Sequence, residues 1–467
     1  MKKLIFLLAL LPFMGFFSLF GQNNYRIELS QQLHVHEGWG VSLCWWANMC
    51  GRYDEAHVDS LVEWLVSPEG LNYNIFRYNI GGGDDPQWRN CQEHHMGKGK
   101  GLRAEMQGFQ DELGGAYHWD RDSAQIRIMR LIKQKRPDAI FEAFSNSAPW
   151  FMTESGCVAG NSDASKDNLR PDCYEAFAHY LVDVCRHIKE AYGIEFTTLD
   201  PFNEPETNYW PASGSQEGCH FDLQSQIAFI KVLHPILKAS GLNTEISAAD
   251  ETSVSQSITD IKAYHEAGVL PLLGQFNTHT YSGTALEKAE LGTLAKSFGI
   301  KLWQSETGSG GKGLQGNLNM ANRLIEDIRN LQPAAWVDWQ YVEEKSDQWS
   351  LVTTNSDWSK YLRHKNYYVR MHFSRFIKAG YRFVSTSNPH ALAAVSPQGD
   401  ELVYVCVNAS DASLPFSTEL PAHTQIKAQY ITSANKTLSP DLKIAISGNQ
   451  LETILPKQSI ATFVFSL

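Results

Sequence analysis

No Lys/Arg-dense run occurs anywhere in the sequence, and only 19% of its residues are charged, with a formal net charge of -11. Such a chain has no electrostatic footprint for nucleic acid or for stable binding to an anionic membrane surface, so a neutral ligand fits it better. No two cysteines have the C-x-x-C spacing of structural zinc. His34-Val35-His36 and His94-His95 bring no third and fourth ligand at matching spacing; they are expected to be solvated loop histidines, and no metal is expected. A Gly-x-Ser-x-Gly elbow is also missing, which sets aside a serine triad built on Ser147 or Ser305. The cluster Gly81-Gly82-Gly83 lacks the lysine of a P-loop and Rossmann spacing is absent, so no nucleotide or other cofactor is implied. There is no low-complexity segment and no fixed-period repeat beyond the strand-helix units described below, which excludes fibrous and solenoid architectures.

What is present is a large apolar fraction, 43% of 467 residues, enough for one big core and a smaller second one. Aromatics reach 12% with 13 Trp, which suits stacking on sugar rings, although core filling is the commoner use of any single Trp. Met1-Lys2-Lys3, the apolar run Leu4 to Phe20 and then Gly21-Gln22 have the form of a secretory signal peptide over residues 1–21. The mature protein is therefore expected in the periplasm, at the cell surface or secreted. An uncleaved anchor is the alternative, because the run is nearly long enough to span a bilayer. The eight cysteines allow disulfides in that compartment, but their spacing does not give the pairing.

Eight β-rich runs alternate with amphipathic helical patterns: Gly38 to Leu43, Ile75 to Ile80, Ala139 to Phe144, Phe196 to Phe202, Glu245 to Ala248, Gln275 to Thr278, Lys301 to Ser305 and Ala335 to Tyr341. Eight is the number that closes a (β/α)8 barrel. Between the runs, apolar residues recur at helical spacing, as in Val58, Leu61, Val62, Leu65, in Phe177, Leu181, Val184, Ile188 and in Leu324, Ile325, Ile328. The polar, Gly-rich stretch 81–119 reads as a loop insertion after the second strand, of the kind that builds a substrate cleft. After Gly380 the pattern turns to short alternating strands, a small β-sandwich.

Barrel enzymes carry their chemistry at the C-terminal ends of the strands. The fourth run closes on Asn203-Glu204-Pro205 and the seventh on Ser305-Glu306-Thr307, and those strands face each other across the barrel. Two carboxyl groups meeting there suit glycoside hydrolysis through a covalent intermediate: an acid protonates the leaving oxygen and a carboxylate attacks the anomeric carbon. Glu204 is expected as general acid/base, with a raised pKa, and Glu306 as nucleophile. Asn203 is placed to bond the sugar hydroxyl next to the reacting carbon. Asp250-Glu251, closing the fifth run, either binds substrate hydroxyls or is structural.

In order along the chain, Gly38-Trp39-Gly40, Phe76-Arg77-Tyr78-Asn79-Ile80-Gly81-Gly82, Ser145-Asn146-Ser147-Ala148-Pro149-Trp150, Asn203-Glu204-Pro205, Ser305-Glu306-Thr307-Gly308, Trp336-Val337-Asp338-Trp339 and Leu455-Pro456-Lys457-Gln458-Ser459-Ile460-Ala461-Thr462-Phe463 resemble glycoside hydrolase family 30. The resemblance covers nearly the whole mature chain. It implies the same roles for Glu204 and Glu306, and substrate-binding roles for Arg77, Trp150, Asn203, Tyr281 and Trp339. Arg77 orients the nucleophile or makes a buried structural ion pair, and Trp339 forms a sugar floor or packs in the core. The resemblance also implies a side β-sandwich that takes an N-terminal strand. The expected division is thus 1–21 leader, 35–378 barrel, and 22–34 with 379–467 sandwich, in a monomer. Gly38 to Ala47 and Ser215 to Phe221 look most like the endo-β-1,6-galactanases of that family, implying a β-galactan polysaccharide as substrate. Cys44 and Cys219 fall in those two segments and are either bonded or buried thiols. Thr280 and Ala148 depart from the pattern of many relatives and put the glycan, not the reaction, in doubt. The alternatives are another β-glycosidase of the family, acting on β-1,6-glucan, glucuronoxylan or a glucosyl lipid, and an inactive glycan-binding protein.

Overall fold

The computed structural model describes residues 23–85, 104 and 106–467. The expected leader, His94-His95 and the centre of the 81–119 stretch lie outside the described residues. After β1 (Asn23–Val35), eight parallel strands close into a barrel in chain order. They are β2 (Gly38–Ser42), β3 (Ile75–Asn79), β4 (Ile140–Phe144), β5 (Thr198–Asp200), β6 (Glu245–Ser253), β7 (Leu273–Ser282), β8 (Lys301–Glu306) and β9 (Ala335–Asp338). The barrel closes where β2 pairs with β9, from Gly38 opposite Ala335 to Val41 opposite Asp338. Each apolar helix stripe turns inward as its spacing requires: Val58, Leu61, Val62 and Leu65 are all buried, as are Phe177, Leu181, Val184 and Ile188.

Four strands differ in length from the sequence reading by three residues or more: β5, β6, β7 and β9, the last ending at Asp338 and not at Tyr341. β5 stops at Asp200 because Pro201 has no N–H for the ladder, and the Asp200 carboxylate turns the chain by accepting from the Phe202 amide at 3.1 Å. β6 and β7 run on to Ser253 and Ser282 because they pair with each other to that point, through three register shifts.

Beneath the mouth, the barrel core is polar. Glu142 is fully buried and accepts from Arg77, Thr198, Ser247, Gln275 and Asn277. A buried carboxylate must be paired in this way or it would cost several kcal/mol, about 3–5 for a broken buried pair. Past β9, a small sheet of β10 (Val342–Glu344), β11 (Val352–Thr354) and β12 (Tyr361–Arg363) stands at the mouth.

The remaining strands, β13 (Arg382–Thr386), β14 (Ala391–Val395), β15 (Glu401–Asn408), β16 (Leu414–Glu419), β17 (Gln425–Thr432), β18 (Ile444–Ser447), β19 (Gln450–Leu455) and β20 (Ser459–Ser466), form a side domain with β1. β1 joins its two halves, parallel to β16 over Asn23 to Arg26 and antiparallel to β13 from Ile27 onward. Ile27, Phe416, Leu451, Phe463 and Phe465 lie in the one core that both halves cover.

The expectation of solvated histidines fails at residues 34 and 36. His36 is fully buried, its ring 4.2 Å from Trp39 and 5.4 Å from Phe383, while its backbone bonds Tyr381 and Gly380. β1 runs straight into β2, so the residues between them are caught where the side domain meets the barrel. Burial lowers the His34 pKa to about 4 and that of His36 well below its ordinary value, so both stay neutral. Among the described residues no helix is long and apolar enough to cross a membrane.

Candidate active site

Glu204 follows β5 and Glu306 closes β8. Glu204 takes a left-handed backbone conformation, φ 49°, which costs a non-glycine residue about 1–3 kcal/mol. The surroundings fix it there: its N–H donates to the Asp250 carbonyl at 2.9 Å, and its carbonyl accepts from Thr207 Oγ1 at 2.9 Å and Trp210 Nε1 at 3.1 Å. Trp210 in turn needs Gly218, where a Cβ would lie 2.2 Å from its ring. The Glu204 carboxylate accepts from the Tyr209 hydroxyl at 2.5 Å and from His279 Nδ1 at 3.0 Å.

Across from it, Glu306 accepts from the Tyr281 hydroxyl at 3.0 Å and from Arg77 Nη1 at 3.3 Å. Carboxylate oxygens of Glu204 and Glu306 lie within 4.8 Å of each other, with His279 Nδ1 3.0 Å from Glu204 and 3.7 Å from Glu306. His279 is fully buried, yet the facing Glu306, Asp250 and Glu204 carboxylates raise its pKa well above the ordinary value. It is therefore a cation, donating Nδ1–H to Glu204 with Nε2 3.4 Å from Asp250. Glu306 is a carboxyl whose pKa the surroundings raise. Burial pushes Glu306 up to about 7, with Glu204 adding to the rise and His279 and Arg77 opposing it. Tyr281→Phe removes a hydrogen bond to the ionised form. The acid limb of kcat/KM, where Glu306 takes up its proton, is then expected to move to higher pH by roughly one unit; a pH profile in which the limb stays fixed or moves down refutes this.

Arg77 lies fully buried under this pair and bonds Glu142 at 2.8 Å, Glu306 at 3.3 Å and Asp250, with its guanidinium 4.2 Å over the Phe144 ring. It therefore makes the buried structural ion pairs that its sequence left open, with Glu142 and Asp250, and also ties the Glu306 carboxylate. Arg77→Met leaves three buried carboxylates without their cation and is expected to cost about 3–5 kcal/mol of stability, read by urea denaturation. A midpoint equal to that of the parent protein contradicts the assignment.

A cleft of about 460 Å³ opens over the two carboxyls. Asn203 lines it, with a buried Oδ1 that has no partner among the described residues and is free to accept from a sugar hydroxyl. Tyr281 and Trp339 line it as expected, Trp339 braced edge-on by Trp45 at 5.0 Å. Trp150 does not line it; it is 6% exposed and packs edge-on to Phe151 at 5.6 Å. Asp250 and Glu251 stay beneath the surface, Asp250 on Arg77 and Ser305, and Glu251 accepting from the Glu206 amide, so their structural alternative holds. Burial would raise Asp250, but Arg77 and His279 hold it below the usual carboxylate range. Cys44 and Cys219 are buried thiols, while Cys157 is disulfide-bonded.

His279, Tyr209, Thr252 and Trp349 escaped the sequence reading. His279 had a signal: Gln275, Asn277, His279 and Tyr281 alternate along β7 and all four turn their side chains into the barrel. The other three sit on loops or past the expected strand end, where no periodicity applies. Glu204, His279 and Glu306, like Glu206, Glu251 and Asp260, are spaced as metal ligands. In the first set, however, Tyr209, Tyr281 and Arg77 donate to the two carboxylates, and in the second the Gln256 amide donates to Glu206 and Asp260, where a cation would need lone pairs.

The family model described as O-glycosyl hydrolase family 30 matches residues 22–268, just over half of the chain. An endo-β-1,6-galactanase of Hypocrea rufa is 29% identical over 392 residues, 80% of this chain and 79% of that protein. An exo-β-1,6-galactobiohydrolase of Bifidobacterium longum is 26% identical over 405 residues, 66% of this chain and 26% of that longer protein. The fold is shared with a conserved exported protein of Bacteroides fragilis, at a TM-score of 0.81 and 19% identity over 95% of this chain and all of that one. With the barrel and its facing carboxyls, the match over residues 22–268 makes the chain a glycoside hydrolase that belongs to O-glycosyl hydrolase family 30.

Proposed function

We propose that this enzyme is a retaining, endo-acting hydrolase of β-1,6-galactan, with Glu306 as nucleophile and Glu204 as general acid/base. The observation that carries the mechanism is the approach of the two carboxylates to within 4.8 Å. Retention by double displacement needs carboxyl groups about 5–5.5 Å apart, whereas inversion needs about 6.5–9.5 Å to admit a water. In the first step ionised Glu306 attacks the anomeric carbon while Glu204 gives its proton to the departing oxygen. In the second, Glu204 takes a proton from water, the hydroxide oxygen replaces Glu306 at the same carbon, and both carboxyls return to their starting states. Tyr281 and Arg77 hold Glu306 in line for attack, and Asn203 accepts from the neighbouring sugar hydroxyl.

For the substrate, the likeness to an endo-β-1,6-galactanase and an exo-β-1,6-galactobiohydrolase supports galactan. The cleft supports a neutral chain: its lining among the described residues includes Glu343 and Glu344 beside the reactive pair and no Lys or Arg. A uronic-acid branch, as on glucuronoxylan, would meet negative charge there. The test is chromatography of early products from de-arabinosylated arabinogalactan, with β-1,6-glucan and glucuronoxylan alongside. Galactose oligomers appearing first support the reading. Oligomers from another glycan alone discard galactan, and silence on all three favours a binding protein.

A further inference from the structure

Among the described residues, the large hydrophobic side chains that stand exposed include two aromatics, Tyr209 at 46% and Trp349 at 40%, and both line the cleft. An aromatic ring left in water on the wall of a cleft gives up burial and is suited to a flat apolar ligand face, such as that of a sugar ring. The two rings keep to different members of the reacting pair, Tyr209 bonding Glu204 and Trp349 lying by Tyr281, which bonds Glu306. Tyr209 is fixed by its hydroxyl to Glu204 and, at 2.6 Å, to Thr252 on β6; its ring edge packs on Trp210 at 4.7 Å. Trp349, from the turn between β10 and β11, sits 6.4 Å from the Tyr281 ring, and a Cβ on Gly308, just past β8, would lie 3.0 Å from it.

We propose that Tyr209 and Trp349 are sugar-stacking platforms on the two sides of the reacting position, Tyr209 under the leaving sugar and Trp349 under the retained chain. The direction follows from the chemistry and rests on Glu204 being the acid: the leaving oxygen faces the group that protonates it, so the leaving sugar lies on the Tyr209 side. The chain that keeps its bond to the reacting sugar then extends past Glu306 and Tyr281 to Trp349. Because the Tyr209 hydroxyl also bonds the Glu204 carboxylate, that residue is in addition a positioning residue for proton transfer.

The experiment compares nitrophenyl β-galactoside, nitrophenyl β-1,6-galactobioside and the free β-1,6-galacto-oligosaccharides on the parent enzyme and three variants. Trp349→Ala is expected to lower the ratio of kcat/KM for the bioside to that for the monosaccharide glycoside by about tenfold, since only the bioside reaches that ring. Tyr209→Ala is expected to lower the ratio of free oligosaccharide to bioside by a similar factor, mainly through KM. Tyr209→Phe, which keeps the ring, restores KM but leaves kcat on the free oligosaccharide reduced. Equal losses on all substrates in Trp349→Ala and Tyr209→Ala, with both ratios unmoved, overturn the proposal, because a structural defect lowers every rate together. Should the parent enzyme cut a different glycan, the galactan reading fails, and the same ratios read on that glycan's oligomers decide the platforms separately.

Discussion

Glu306→Gln is expected to lower kcat by about 10⁴-fold or more on every substrate, activated aryl glycosides included. The amide matches the carboxylate in shape; its oxygen can accept from Arg77 and its NH2 can donate to the Tyr281 hydroxyl, so what it removes is the nucleophile itself. Stability should move the other way. Burial pushes the folded-state pKa of Glu306 up to about 7, above its ordinary value of 4.5, so its ionised form opposes folding once the pH exceeds the ordinary value. A neutral isostere removes that penalty, and the variant is expected to melt no lower than the parent protein at neutral pH. Turnover within tenfold of the parent enzyme assigns the nucleophile elsewhere, and a collapse of the melting temperature gives Glu306 a structural role instead.

Glu204→Gln has an effect that depends on the leaving group. With a glycan, the departing oxygen needs a proton, and the loss of a general acid lowers the rate by about 10²–10⁴-fold. A dinitrophenyl glycoside leaves without that proton, so its first step is largely spared. Its second step has lost the base that activates water, and the covalent intermediate accumulates. The expected trace is a burst of phenol followed by slow turnover, accelerated by added azide, which attacks without base help. Equal loss on glycan and activated substrate, with no burst, removes Glu204 from the acid/base role.

The barrel was legible because each strand is a short apolar run followed by an amphipathic helix, and that local pattern survives in one dimension. The meeting of the Glu204 and Glu306 carboxyls was legible for a related reason: barrel strand ends converge on one mouth, and each of the two follows such a run. The hidden features depend on distance in sequence. The burial of His36 comes from Phe383, and the cation state of His279 from carboxylates at 204, 250 and 306. The raised pKa of Glu306 likewise reflects a balance of burial against charges on four other elements, which strand-end logic does not weigh. Tyr209 and Trp349 lie in loops, where neither period two nor period 3.6 marks a side chain as facing the cleft. Trp150, whose motif is local, is 6% exposed and packs edge-on to Phe151 in the short helix Trp150–Met152, outside the cleft lining among the described residues.

The most direct test of the mechanism is the anomeric configuration of the first product, followed by proton NMR from the start of hydrolysis of a β-1,6-galacto-oligosaccharide. Carboxylates within 4.8 Å predict double displacement, so the β-anomer should appear first and equilibrate to the mixture afterwards. The α-anomer appearing first would mean single displacement by water and would contradict Glu306 as a nucleophile.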